Sequence, residues 1–140
     1  MFQNPTQEEM TQILRSARTI AVVGLSPDPE RSSHSVAAEM QRRGYRVIPV
    51  NPRVQEVLGE KSYPTLLDIP LPVDIVDVFR RSETLPAVVE EAVQISAPVI
   101  WAQEGVYNEE AAELAKRHGK IMIMNACLMV MHSVLVYNRP

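Results

Sequence analysis

Apolar residues recur along the chain in two alternating rhythms. Met10, Ile13, Leu14 and Ala17 fall at helical spacing behind a capping box, in which Thr6 caps and Glu9 reaches back to it. Ile20 to Gly24 is a short continuous apolar run, the signature of a strand covered on both faces. Residues 33–43 turn Val36, Ala37 and Met40 to one helical face, and Gly44 supplies the stop. A second strand is expected over 46–50, with Pro49 and Pro52 at its end. A short helical turn is expected at 65–69, a third strand at 73–79 and a helix at 84–95 with Pro86 in its first turn. A fourth strand follows at 98–102. Asn108 then caps a helix reaching His118, with Glu109 and Glu110 at its head and Lys116 and Arg117 at its foot, as the helix dipole prefers. A fifth strand is expected at 120–124. Residues 126–136 are apolar throughout and read as helix.

Strands that alternate with helices predict an α/β fold, a doubly wound parallel five-stranded sheet flanked by helices. The expected strand order is 3-2-1-4-5. Ligands of such sheets sit outside the carboxyl ends of the strands, beside the first one. That rule selects the loops 24–33, 50–54, 79–84, 102–107 and 124–128.

Composition narrows the function. The 140 residues read as one domain, 1-140. Net charge is −3, which disfavours nucleic acid or an anionic membrane as partner. No apolar run reaches the ~18 residues of a membrane helix, and the N-terminus is polar, so a cytoplasmic protein is expected. One cysteine excludes an internal disulfide, and the scattered histidines His34, His118 and His132 show no metal-ligand spacing. No metal site is expected.

The loops carry the candidate chemistry. Gly24 lets the backbone approach a ligand closely. Ser26, Arg31, Ser32 and Ser33 surround the head of the next helix, where free amides can hold an anion. Neither a GxGxxG run nor a Walker A motif is present. At the end of the second strand a NAD site places an acid on the ribose hydroxyls. Here Val50 is followed by Asn51, Pro52 and Arg53, which suits a ribose phosphate, as in coenzyme A or NADP. Phe79 and Arg80 follow the third strand, with Arg81 next to them. Phe79 offers a flat face to a ligand, though an aromatic at a strand end is more often core. Gln103, Glu104 and Gly105 follow the fourth strand, where Gln103 can bond a ligand amide. Cys127 ends the fifth. A lone cysteine is usually a small buried apolar residue. At that strand end its thiol is also within reach of a mixed disulfide with the thiol of CoA under oxidation. Asp77, inside the third strand, reads as structural.

The runs IAVVGLSPDPERSSHSVAAEMQRRGYRVIPVNP, LGEKSYPTLLDIP, VDIVDVFRRSE and IWAQEGVYNEEAAELAK resemble the small stand-alone CoA-binding-domain proteins. These are similar to the N-terminal domain of the succinyl-CoA synthetase alpha subunit. The resemblance covers roughly residues 8–128 and implies a Rossmann-like fold with coenzyme A across the strand ends. It puts Gly24, Ser26 and Arg31 on the phosphate-side loop and Val50, Asn51 and Arg53 on the adenosine-side turn. Phe79, Arg80 and Gln103 to Gly105 match the later loops. The family typically reads Asp-Arg-Cys where this chain has Asn125-Ala126-Cys127, so any role of that Asp or Arg is lost or reassigned. The phosphorylated histidine of the synthetases belongs to a second domain that has no counterpart here. The expected function is therefore CoA or acyl-CoA binding without catalysis by the chain alone. Two other readings are an NADP-dependent reductase, for which no proton donor is evident, and a CoA-sensing regulatory protein that signals occupancy to a protein partner.

Overall fold

A computed structural model describes residues 1–137. Helix α1 (Gln7–Ser16) precedes strand β1 (Thr19–Val23), α2 (Ser32–Arg42) and β2 (Arg46–Val50). A two-stranded hairpin follows, β3 (Glu56–Val57) and β4 (Glu60–Lys61), then a 3-10 turn at Leu66–Asp68. Strand β5 (Ile75–Val78), α3 (Leu85–Ala92), β6 (Val99–Ala102), α4 (Glu109–Arg117) and β7 (Ile121–Ile123) continue the alternation. Residues 128–137 form α5 (Leu128–His132) and a π turn over Ser133–Tyr137.

The local signals act as expected. The Thr6 hydroxyl accepts from the Glu9 amide at 3.1 Å, and the Glu9 carboxylate returns to the Thr6 amide at 3.2 Å. The Asn108 side chain accepts from the Ala111 amide at 2.9 Å at the head of α4.

The main sheet is parallel throughout and five-stranded, in the order β2-β1-β5-β6-β7. Counting its strands in chain order, this is 2-1-3-4-5 and corrects the expected 3-2-1-4-5. Two local structures explain it. The β3–β4 hairpin lies along the outer edge of β2. Tyr63 bridges Val50, its amide donates to the Pro49 carbonyl at 3.1 Å, and its carbonyl accepts from the Asn51 amide at 2.9 Å. That edge is closed to a further long strand. At the other side, the Asp74 carboxylate accepts the amides of Arg18 at 2.8 Å and Thr19 at 3.0 Å. A charge-assisted pair of this kind ties the start of β5 to the start of β1. The hairpin turns through Leu58 at φ 55° and Gly59 at φ 77°, the paired left-handed backbone of a two-residue hairpin loop.

Helices cover both faces. On one, Leu85, Val89, Ala92, Ala111 and Ala115 from α3 and α4 pack on Val76, Val78 and Ile100. On the other, Leu14, Val36, Met40 and Leu128 from α1, α2 and α5 pack on Ile20, Ile75 and Trp101. This is a doubly wound, Rossmann-like α/β sheet. Among the described residues, no helix is long and apolar enough to cross a membrane.

Candidate functional site

The direction of winding reverses between β1 and β5. β1 leads through α2 to β2 on one side, while β5, β6 and β7 progress on the other. At this switch point the strand ends diverge and leave a crevice. A cavity of about 1020 Å³ opens there, reaching from Gly24 across to Cys127.

Gly24 sits at its floor with φ +87°. Its amide donates to the Val50 carbonyl at 3.0 Å. A Cβ at this position would overlap the backbone carbonyl oxygen of Phe79, so glycine alone lets the ends of β1 and β5 come this close.

The loop that follows is internally braced. The Ser26 amide donates to the Ser33 hydroxyl at 3.0 Å, and the Ser26 hydroxyl accepts from the Asp28 amide at 3.0 Å. His34 Nδ1 lies 2.9 Å from the Ser26 carbonyl, a contact that requires the proton on Nδ1. Ser33 is thus a buried brace at the cavity wall, and its hydroxyl keeps its own proton to donate. Arg31 occupies the cap position of α2 without a capping bond from its side chain. The amides of Ser32 and Ser33 stay unpaired among the described residues and stand at the positive end of the helix dipole.

Asn51 is spent on the fold as well. Its Nδ2 donates to the Leu25 carbonyl at 2.9 Å and its Oδ1 accepts from the Arg53 amide at 2.9 Å. These bonds fix the turn that presents Arg53. Phe79 is half-buried, with one side on the core and the other on the cavity. Gln103 is 5 % exposed. Its Oε1 accepts from the Leu128 amide at 3.0 Å, which couples the fourth loop to the head of α5.

Eleven of the thirteen residues singled out from the sequence line the cavity: Gly24, Ser26, Arg31, Ser32, Ser33, Asn51, Arg53, Phe79, Arg80, Gln103 and Glu104. Val50 and Gly105 do not. Val50 is buried in the core and contributes only its carbonyl to Gly24. Gly105 turns through φ +84° and donates its amide to Asn125 Oδ1 at 2.7 Å. Asn125 itself holds φ 56°, a conformation asparagine tolerates better than most residues. It thus locks the fifth loop to the fourth. Arg81, the second cation of the third loop, also faces the cavity, as do Val36, Val54 and Val106, which the sequence did not single out for the site. The three valines carried no signal, because their apolar pattern is that of core.

The lining is strongly cationic. Arg31, Arg53, Arg80 and Arg81 face a single carboxylate, Glu104. None of the four arginines forms an ion pair among the described residues. Elsewhere the chain pairs such charges, as Glu39 does with Arg42 and Arg43. A cluster of unpaired guanidinium groups over free helix amides is an arrangement suited to phosphate.

The family model described as CoA binding domain matches residues 18–133. The chain belongs to the CoA binding domain family. The Bacillus subtilis "Uncharacterized protein YneT" is 51% identical over 133 residues, covering 95% of this chain and 98% of that one. Acetate–CoA ligase [ADP-forming] I of Archaeoglobus fulgidus is 30% identical over 131 residues, which are 86% of this chain and 19% of the ligase. The chain thus spans about a fifth of that enzyme's length. Among solved structures, a hypothetical protein from Pyrococcus horikoshii superposes with a TM-score of 0.92 at 38% identity, over 98% of this chain and 99% of the other.

Proposed function

We propose that the protein binds coenzyme A or an acyl-CoA reversibly in the cavity at the strand ends, and that the chain alone catalyses no reaction on it. The supporting observation is the set of four unpaired arginines around a cavity of about 1020 Å³, in a chain of this family. Coenzyme A carries a diphosphate and a ribose phosphate, and both need cationic or amide partners. In this reading Arg31 and the amides of Ser32 and Ser33 serve one phosphate group, Arg80 and Arg81 lie along the path of the diphosphate, and Arg53 serves the ribose phosphate. The volume is at the upper end of ordinary ligand pockets, as a molecule of this length requires.

Arg53 provides the test. A charge-assisted contact to phosphate is worth roughly 1.5–3 kcal/mol, and exposure to solvent and salt moves that toward the lower figure. CoA is expected to bind about 10-fold more tightly than dephospho-CoA. Arg53→Ala should erase most of this difference and leave the thermal midpoint unchanged. Titration calorimetry with both ligands and both proteins decides it. Equal affinities in the unmutated protein would remove Arg53 from the site, and tighter binding of NADP than of CoA would favour the reductase reading instead.

The absence of catalysis is tested separately. His34 donates from Nδ1 to the Ser26 carbonyl, and none of His34, His118 and His132 stands in a motif like that of the synthetases' phosphorylated histidine. Incubation with ATP or GTP, succinate and CoA is expected to give no thioester above the blank. Sustained multiple turnover would overturn this part of the reading.

A further inference from the structure

Cys127 belongs to the lining of the same cavity as the four arginines. It is partly exposed and free. The residues on either side of it are pinned. The Ala126 carbonyl accepts from Trp101 Nε1 at 2.9 Å, and the Ala126 amide reaches the Ala102 carbonyl at 3.4 Å. On the other side, the Leu128 amide donates to Gln103 Oε1 at 3.0 Å. The thiol is thus carried on a rigid segment at the wall of the cavity rather than on a loose loop.

A second observation at this wall points to a ligand. Gln103 is 95% buried by its 5 % exposure, and its carbonyl oxygen is taken by Leu128. Its Nε2 has no acceptor among the described residues. The only buried side-chain polar atoms lacking a partner there belong to Asp77, so this amide nitrogen remains open, and the cavity is what Gln103 faces. This donor is accessible at the cavity wall and free to meet an acceptor on a ligand. One continuous cavity therefore carries phosphate-binding cations, an amide donor and a thiol.

We propose that Cys127 is a site of reversible mixed-disulfide formation with a thiol ligand that also bears phosphate, coenzyme A being the one the cavity suits. This rests on the CoA reading of the cavity and goes beyond it. The co-reactant is a low-molecular-weight disulfide, the symmetric disulfide of CoA. The Cys127 thiol loses its proton to solvent, and the thiolate attacks one sulfur of that disulfide. A new sulfur–sulfur bond forms to Cys127, the old one breaks, and the departing CoA leaves as thiolate with the electron pair. Reduced CoA or another thiol reverses the step. The cavity's role is to hold the phosphates, so that the disulfide is presented to the thiol at high effective concentration.

The test uses the reduced full chain and intact-mass spectrometry. The chain has one cysteine, so any disulfide adduct reports on Cys127. Exposure to CoA disulfide is expected to add one CoA less two hydrogens, in a form removed by dithiothreitol. The reaction should run at least about 10-fold faster than with glutathione disulfide, which lacks phosphates. Saturating desulfo-CoA, which has no thiol, should suppress it. Equal rates with glutathione disulfide, or no suppression, would overturn the proposal. Calorimetry with desulfo-CoA separates the two readings. If desulfo-CoA binds and no adduct forms, the inference about Cys127 falls alone. If desulfo-CoA does not bind, the CoA reading of the cavity falls with it.

Discussion

Gly24→Ala is expected to destabilise the protein by about 3 kcal/mol and to abolish ligand binding. Two separate penalties combine. The backbone holds φ +87°, a left-handed conformation that disfavours any side chain by roughly 1–2 kcal/mol. The added methyl would also meet the Phe79 carbonyl oxygen, which belongs to the backbone leaving β5. That backbone cannot yield easily, because the Phe79 amide is bonded to the Val23 carbonyl at 2.9 Å. Relief would require β1 and β5 to separate where the cavity opens. Gly44→Ala is the control. Its φ is +106°, and nothing lies within 4 Å of an added Cβ. It should show the conformational penalty alone, about 1–2 kcal/mol. Urea unfolding of both variants measures the difference. Equal losses would mean that the approach of Gly24 to Phe79 is not tight.

The second large effect concerns Asp77 and pH. This residue is 1 % exposed in the middle of β5, between Val22 and Trp101 of the neighbouring strands. Neither carboxyl oxygen has a hydrogen-bond partner among the described residues. Burial pushes its pKa well above the ordinary carboxylate value. In the unfolded chain the group ionises near pH 3.9. Below that pH it is protonated in both states, and the folded state bears no ionic penalty. As pH rises further, the unfolded state releases the proton while the folded state retains it. Stability therefore declines with rising pH by up to about 1.4 kcal/mol per pH unit, until the folded-state pKa is reached. Asp77→Asn removes the titration. Its stability is expected to decline less between pH 5 and pH 8 than that of the unmutated protein, by more than about 1.4 kcal/mol across that interval. Asp77→Leu should reproduce the flatter profile without leaving polar atoms unpaired. Urea midpoints at several pH values for the three proteins test this. An unmutated profile no steeper than that of the variants would show that Asp77 ionises at its ordinary pH.

Much of the site was legible from the chain because one rule does most of the locating. A continuous apolar run such as Ile20 to Val23 is a strand covered on both sides, and its carboxyl end is where an open α/β sheet binds its ligand. Residues such as Arg31, Arg53 and Arg80 follow directly, and all three line the cavity. Caps were legible for a similar reason. Thr6 with Glu9, and Asn108 with Ala111, interact within a single helical turn.

Other features depended on partners distant in sequence. Ser33 and Asn51 have side chains chemically fit for a ligand, and both are also tied to backbone groups, at Ser26 and at Leu25 and Arg53. Side-chain type cannot reveal which acceptor a distant loop will bring. The hairpin at residues 56–61 escaped notice because its turn, Leu58-Gly59, lacks the usual asparagine or aspartate ahead of the glycine.

By itself the sequence determined the α/β alternation, the residues buried on each element and the loops that gather at the strand ends. These follow from periodicity and from contacts within a turn or two. Only the tertiary structure decided the strand order, and with it the neighbours of the site. Periodicity states that β5 is buried, but both edges of β1 would bury it equally well. The choice came from the hairpin bonded along β2 at Tyr63 and from Asp74 clasping the amides of Arg18 and Thr19. Those are long-range hydrogen bonds, and they set Phe79 beside Gly24 and Gln103 beside Cys127 on one cavity wall.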